Sequence, residues 1–248
     1  MLSLLSGEKK LAELKTDLNT RETTILHVLK EFETLDITSK KSGTYSLTSL
    51  GIIEASICKD TISAARVLEK FKEFWVFHDV KPIPQLLLTK IGELEDSTLV
   101  KTEANKLEKV HETFMQMLLS SKMIKGTSPI FHSDYVKAFE ILLGQGASVQ
   151  LILTVPVLKK TMETTIGETD LLQRYIESEK LKIYLNDDLK VALTITEKGF
   201  SLGLFAQDGN YDYGMDLLSV SDPAVKWGHR LFQSYLEQSR RLRTEDIT

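Results

Sequence analysis

Cysteine is the scarcest resource in this chain. Cys58 stands alone among 248 residues, so no internal disulfide framework can form and no pair of thiolates can hold a metal. A reducing, cytoplasmic setting is expected. Long apolar runs are missing too: residues 1–5 are too short for the core of a secretory signal, and no stretch approaches the roughly eighteen apolar residues that cross a bilayer. No membrane partner is expected. The histidines His27, His78, His111, His132 and His229 make no HExxH pair, which leaves a metal centre without a local signature. Walker A, dinucleotide-binding GxGxxG and GxSxG patterns are absent, and Gly144-Gln145-Gly146 is too short and follows a helical pattern. No nucleotide chemistry and no cofactor are expected. A formal charge of −4 excludes a protein that coats nucleic acid over its whole surface and leaves room for a local basic patch.

What is present suits a globular chain. With 42% hydrophobic and 27% charged residues, the length fits one large or two ordinary domains with a real core. After Ser6-Gly7, the spacing of Leu11, Leu14 and Leu18 predicts a short helix from about Lys9. Ile25, Val28, Leu29, Phe32 and Leu35 then fall on one stripe of a second helix, with Asn19 or Thr20 as its cap. Residues 37–39 and 44–47 read as strands joined by Lys40-Lys41-Ser42-Gly43, a wing, and Thr48 caps a further helix through Ile52, Ile53 and Ile57. Residues 1–58 are therefore expected to form a winged helix-turn-helix domain. In the next helix candidate, residues 60–78, Ile62, Ala65, Leu68, Phe71 and Trp75 recur at mostly three- and four-residue spacing. That face is either a dimer seam or packing within its own domain. Pro82 and Pro84 end the pattern, and residues 59–105 as a whole read as a helical connector with apolar contacts of its own.

From residue 106 the pattern becomes α/β. A helix with Val110, Phe114 and Leu118 leads to a strand at 123–129, Ser133 caps another helix, and the almost wholly apolar run 149–155 reads as a strand covered on both faces. A helical stretch at 156–179, interrupted near Gly167, follows. Leu181, Ile183 and Leu185 alternate with polar neighbours, as do Val191, Leu193 and Ile195, and Phe200, Leu202 and Leu204 resume the alternation after Glu197-Lys198-Gly199. Gly199 is expected to supply a left-handed turn residue. One face of this hairpin is large and aliphatic. The other carries Ala192, Thr194, Thr196, Ser201 and Gly203, which leave space beside the sheet for water or for a ligand. Residues 207–219 read as a polar loop, and Ser221-Asp222-Pro223 opens the last helix. The expected order is β-α-β-α-β-β-β-α, a mixed sheet over residues 106–248.

Chemistry follows from these placements. Residues at the start of a second helix meet base edges in the major groove, here Thr20, Arg21, Thr23, Thr24 and His27, while Lys9, Lys10, Lys15, Lys30, Lys40 and Lys41 can meet phosphates of double-stranded DNA. Residues 1–58 hold seven Lys or Arg against eight Asp or Glu, so binding should depend strongly on salt and on a homodimer. Asp187, Asp188, Asp208, Asp212 and Asp216 flank turns and read as turn and cap residues, which gives acid–base catalysis no support.

Several motifs carry a resemblance. Thr44-Tyr45-Ser46-Leu47-Thr48-Ser49-Leu50-Gly51, Phe74-Trp75-Val76-Phe77-His78-Asp79 with Ile83-Pro84, Lys125-Gly126-Thr127-Ser128-Pro129, residues 193–205, Asp208-Gly209-Asn210-Tyr211-Asp212, and Trp227-Gly228 with Leu231-Phe232 resemble the archaeal methanogenesis regulatory, or filament-formation, transcriptional regulators. The first helix of that family is a full one, and here residues 1–5 stand for it. The resemblance implies an ArsR-like winged helix-turn-helix followed by a phospholipase-D-like domain that senses an effector. None of the five histidines has a lysine two residues later, so the hydrolase's HxK motif is missing and the chain is not expected to be an enzyme. The implied function is a regulator that binds specific DNA and answers to a small-molecule effector. Ligands of open α/β sheets sit at strand ends and adjoining loops, which selects Ser128, His132, Tyr135, Thr154, Tyr184, Thr194, Tyr211, Asp212 and Trp227. The alternative is a small-molecule-processing enzyme using His132, Tyr184 and residues 208–216.

Overall fold

The structure, a computed structural model, describes residues 1–103, 106, 108–164 and 169–243. The chain divides into two units, Met1–Arg66 and Val67–Thr248, and is α+β, with a three-stranded antiparallel sheet in the first and an eight-stranded mixed sheet in the second. Among the described residues no helix is long and apolar enough to cross a membrane.

The first unit starts with a 3-10 turn at Leu2–Ser6 and continues through β1 (Lys9–Lys10), α1 (Leu11–Leu18), α2 (Glu22–Thr34), β2 (Thr38–Lys41), β3 (Thr44–Leu47) and α3 (Ser49–Lys70). Leu4, Leu14, Ile25, Leu29 and Tyr45 form its core. Two local expectations need correction. Lys9 and Lys10 are not helical: they pair with Tyr45 and Thr44 as an edge strand, a partnership made across some 35 residues that no local period reveals. Nor do Asn19 or Thr20 cap α2. Asn19 ends α1 in the left-handed region at φ 44°, Thr20 donates its hydroxyl to Leu18 O, and Arg21 occupies the cap position. The β2–β3 hairpin closes on two residues, Ser42 at φ 50° and Gly43 at φ 81°, the twist that matches a right-handed ribbon.

Thr48 does cap α3, its Oγ1 accepting from Gly51 N at 3.0 Å. The helix then runs 22 residues without a break, past the boundary expected at residue 58, because nothing between Cys58 and Asp60 breaks helical geometry. It stops at Phe71, which leaves helical angles before α4 (Lys72–Phe77).

The second unit continues with α5 (Gln85–Leu88), a 3-10 turn at Ile91–Leu94, β4 (Thr98–Lys101), α6 (Lys109–Leu119), β5 (Met123–Ser128), α7 (Ser133–Gly144), β6 (Ser148–Leu153), α8 (Val155–Thr164) and α9 (Thr169–Glu177). The interruption expected at Gly167 lies outside the described residues. Then come β7 (Leu181–Leu185), β8 (Val191–Thr196), β9 (Gly199–Leu204), β10 (Met215–Ser219), α10 (Asp222–Leu236) and β11 (Arg240–Arg241). The sheet order is β11-β7-β6-β5-β8-β9-β10-β4, with β7, β6 and β5 parallel and the remaining pairs antiparallel.

Residues 67–103 pack within this unit. β4 pairs with β10, His78 bridges to Ala206, Trp227 donates its indole N–H to Leu87 O at 2.9 Å, and Tyr235 donates its hydroxyl to Pro82 O at 2.9 Å. The stretch expected as a polar loop contains β10, with Leu217 fully buried opposite Leu202. A buried acid, Asp216, disguised that strand as a loop. Gly199 is corrected as well: it lies in β9 without a left-handed backbone, and a Cβ there would come within 2.8 Å of Ser219 O. Close approach of β10, not turn geometry, requires glycine at that position.

The two faces of the sheet differ. Leu193, Ile195, Phe200, Leu202 and Leu217 lie on the face covered by α10, where Phe200 meets Trp227 edge to face at 6.0 Å. Leu142, Leu151, Leu153, Val157, Leu181 and Ile183 anchor the opposite face beneath α6 to α9.

Candidate functional site

The small-residue face of the hairpin opens onto a cavity of about 360 Å³. Gly126, Ser128, Ala192, Thr194, Ser201 and Gly203 form its floor. They are neighbours across β5, β8 and β9, because Gly126 pairs with Thr194, Thr194 with Ser201 and Ala192 with Gly203. Short side chains at these positions leave the space beneath α6 and α7 unfilled, and Phe114, Tyr135 and Phe139 form the opposite wall.

One end is polar. His78, fully buried, bonds Phe74 O through Nδ1 at 2.7 Å and Asp212 Oδ2 through Nε2 at 3.1 Å, while Asp212 Oδ1 accepts from Gly214 N at 2.7 Å. Asp212 is thereby held on both oxygens. Beside it, the Tyr211 hydroxyl lies over Gly203, where a Cβ would come within 2.2 Å of that oxygen and 3.2 Å of Asp216 Oδ1. Asp216 is buried; Ser201 donates to its Oδ2 at 2.5 Å and its Oδ1 has no hydrogen-bond partner. Loss of water pushes the Asp216 carboxyl up to about 7; the Ser201 bond opposes the shift, the charge of Asp212 adds to it, and a weaker bond from the Leu217 backbone N–H opposes it. Burial, and after it the Asp216 charge, raises the Tyr135 and Tyr211 hydroxyls well above the ordinary phenol range.

His111 from α6 and His132 and Asp134 from the start of α7 gather at the cavity wall. His111 Nε2 lies 3.3 Å from Asp134 Oδ2 and His132 Nδ1 3.8 Å from it, while the His111 and His132 ring centres lie 4.6 Å apart at a tilt of 32° and both rings lie against Tyr135. The set has the donor chemistry of a divalent-ion site. His132 Nδ1 already accepts the Asp134 backbone N–H at 3.2 Å as the cap of α7, in place of the expected Ser133, and one lone pair cannot serve both partners.

Of the residues selected for an effector, Ser128, His132, Tyr135, Thr194, Tyr211 and Asp212 line the cavity. The other three do not. Thr154 borders a separate shallow depression and caps α8, its Oγ1 accepting from Val157 N at 3.3 Å. Tyr184 follows Ile183, which lines the cavity, and so projects from the other face of β7. Trp227 is wholly buried beneath the opposite face. Its replacement by phenylalanine should cost about 1–3 kcal/mol in urea unfolding, because Leu87 O loses its donor, and should leave the affinity of any cavity ligand unchanged. Of the alternative group of His132, Tyr184 and residues 208–216, the cavity brings together His132, Tyr211, Asp212 and Asp216, while Tyr184 is turned away and Asp208 is bonded to Asn210 in a turn. The cavity also takes in His111 and Phe114, for which no local pattern gives a signal, Asp216, which only the alternative reading includes within residues 208–216, and Ser201 and Gly203, which the small-side-chain face already marks.

On the first unit, Thr20, Arg21, Thr23, Thr24 and His27 are exposed at the entry and first turns of α2, and His27 Nε2 lies 3.5 Å from Glu31. Lys10, Lys15, Lys30, Lys40 and Lys41 are exposed, with the Lys40 ammonium 5.0 Å from the centre of the Tyr45 ring. Lys9 is half-buried and ion-paired with Asp17.

Residues 1–66 match the family model described as Methanogenesis regulatory protein FilR1, N-terminal domain, and residues 107–238 match its middle domain. The first match ends where the first unit ends. Methanogenesis regulatory protein FilR1 of Methanothrix harundinacea (strain 6Ac) is 31% identical over 251 residues, covering 100% of this chain and 56% of that protein. The chain thus spans about half the length of this curated relative. Among solved structures, TrmBL2, described as an archaeal chromatin protein with a novel mode of DNA binding, aligns at a TM-score of 0.47 and 16% identity over 97% of this chain and 91% of its own. Phosphatidylserine synthase of Haemophilus influenzae Rd KW20 aligns at 0.42 and 14%, over 59% and 39%. At those TM-scores neither likeness defines the fold. The two family models and the full-length alignment together place the sequence: the chain belongs to the FilR1 family of methanogenesis regulatory proteins.

Proposed function

We propose that the chain acts as a cytoplasmic, non-enzymatic transcriptional regulator whose first unit binds double-stranded DNA and whose second unit senses a small molecule. The observation that carries this reading is the exposed polar start of α2 in a helix pair followed by the β2–β3 hairpin, the arrangement of a winged helix-turn-helix. The regulatory name of the relative agrees with it. The second unit is read as a phospholipase-D-like domain without the HxK motif, its cavity serving recognition. Leu50, Ile53 and Ile57, apolar and exposed at helical spacing on α3, suit pairing with a second copy. A ligand can change DNA affinity only by its difference in affinity for the two states of the dimer.

Fluorescence anisotropy on the gene's own promoter tests the proposal. Saturable binding that weakens steeply with salt is expected, and Arg21→Ala should weaken it about tenfold. Absence of sequence-specific binding at low salt, with cell metabolites added, overturns it.

A further inference from the structure

The cavity's chemistry is one-sided. Glu108, Asp134, Glu140, Asp212 and Asp216 line it, and among the described residues that do so there is no lysine or arginine. An anionic ligand would meet carboxylates with no fixed cation to answer it. A purely apolar ligand would leave Asp216 Oδ1 as it stands, a buried acceptor without a donor. Such an atom is costly to keep, and a cationic head beside the Asp212 and Asp216 carboxyls would answer their charge. A divalent ion at the Asp216 end would need several free oxygens, whereas both oxygens of Asp212 and one of Asp216 are already bonded. A single positive charge with N–H donors fits what remains. Around it stand the Tyr135 and Tyr211 rings, whose faces attract cations. Away from it lie Phe139, Leu143, Leu151 and Val157, an apolar lining for a tail.

We infer that the cavity binds an organic ammonium ion with an apolar tail, its charged head at Asp216 and its tail between α7, α8 and the sheet. This rests on the reading of the second unit as a small-molecule sensor and names the class of molecule sensed.

Calorimetric titration of the full chain at pH 8, without DNA, with n-hexylammonium, hexan-1-ol and hexanoate decides it. The ammonium ion should bind at least about tenfold tighter than the alcohol, and hexanoate should not bind at up to about 10 mM. Asp216→Asn should remove about tenfold or more of the ammonium affinity while leaving the alcohol's unchanged. Hexanoate binding as well as hexylammonium, an unchanged ammonium-to-alcohol ratio in a folded Asp216→Asn protein, or no binding of any of the three overturns the inference. Should that variant fail to fold, the ranking of the three probes on the unaltered chain is sufficient. Failure of the sensor reading is separable: if the ammonium ion binds as expected and promoter affinity does not change, the ligand class stands and the sensor role falls. A carboxylate metabolite that binds this cavity and shifts promoter affinity does the reverse.

Discussion

Asp216→Asn is expected to stabilise the protein at pH 8 and to flatten its stability between about pH 4 and pH 8. The carboxyl stands at about 7 in the folded chain against an ordinary 3.8, so the fold favours its protonated form. Its contribution is therefore complete below about pH 4, declines as pH rises, and is lost once pH passes the folded value near 7. The interval corresponds to about 4 kcal/mol at most, and relaxation around a buried charge brings the expected gain to about 2–4 kcal/mol. Asparagine keeps an acceptor for the Ser201 hydroxyl and carries no charge at any pH. Urea unfolding of both proteins at pH 5 and pH 8 measures the effect. A native chain equally stable at the two pH values, with the variant no better at pH 8, refutes the account of Asp216. A gain would mean that the native residue is held at a cost to stability, as groups at binding sites commonly are.

Gly51→Ala should have the opposite sign and act on the other unit. A Cβ at residue 51 would lie 1.9 Å from Ile37 O and 2.9 Å from Ile37 C, both backbone atoms that cannot swing aside. Ile37 O also accepts from Thr48 N at 3.0 Å and lies 3.2 Å from Thr48 Oγ1, so moving it loosens the junction between β2 and α3. Ordinary overpacking costs about 1–3 kcal/mol, and a clash this deep against backbone should reach about 3 kcal/mol or more. A unit of 66 residues has little stability to spare. Hydrogen exchange should show lost protection in α2, β2 and β3 with β5 to β9 unchanged, and promoter binding should disappear. Native-like protection in α2 would show that α3 can shift to admit the methyl group.

Much of the sheet was legible because its determinants are local. The alternation at Leu181–Leu185, Val191–Thr196 and residues 200–204 marks strands whatever surrounds them, and the run of small side chains from Ala192 to Gly203 on one face already implied open space. Thr48 announced the start of α3 through its own hydroxyl. Elements defined by partners were not legible in the same way. Lys9–Lys10 is a strand because Tyr45 and Thr44 lie beside it, and Met215–Ser219 because β9 and β4 flank it. Polar residues in such strands carry no sign of burial until the neighbours are in place.

The candidate site divides along the same line. By itself the sequence determined a hairpin with one bulky and one small face, a helix pair with a polar leading turn, and an absence of catalytic signatures, since periodicity and residue size act over a few positions. Tertiary structure alone decided that the small face meets α6 and α7 to enclose a cavity, that Trp227 and Tyr184 lie away from it, and that His111 meets Asp134. It also decided that Asp216, read from the sequence as a turn residue, is a buried carboxylate with one oxygen unanswered. The physical reason is that burial and charge environment arise from residues far apart in the chain, which no local spacing encodes.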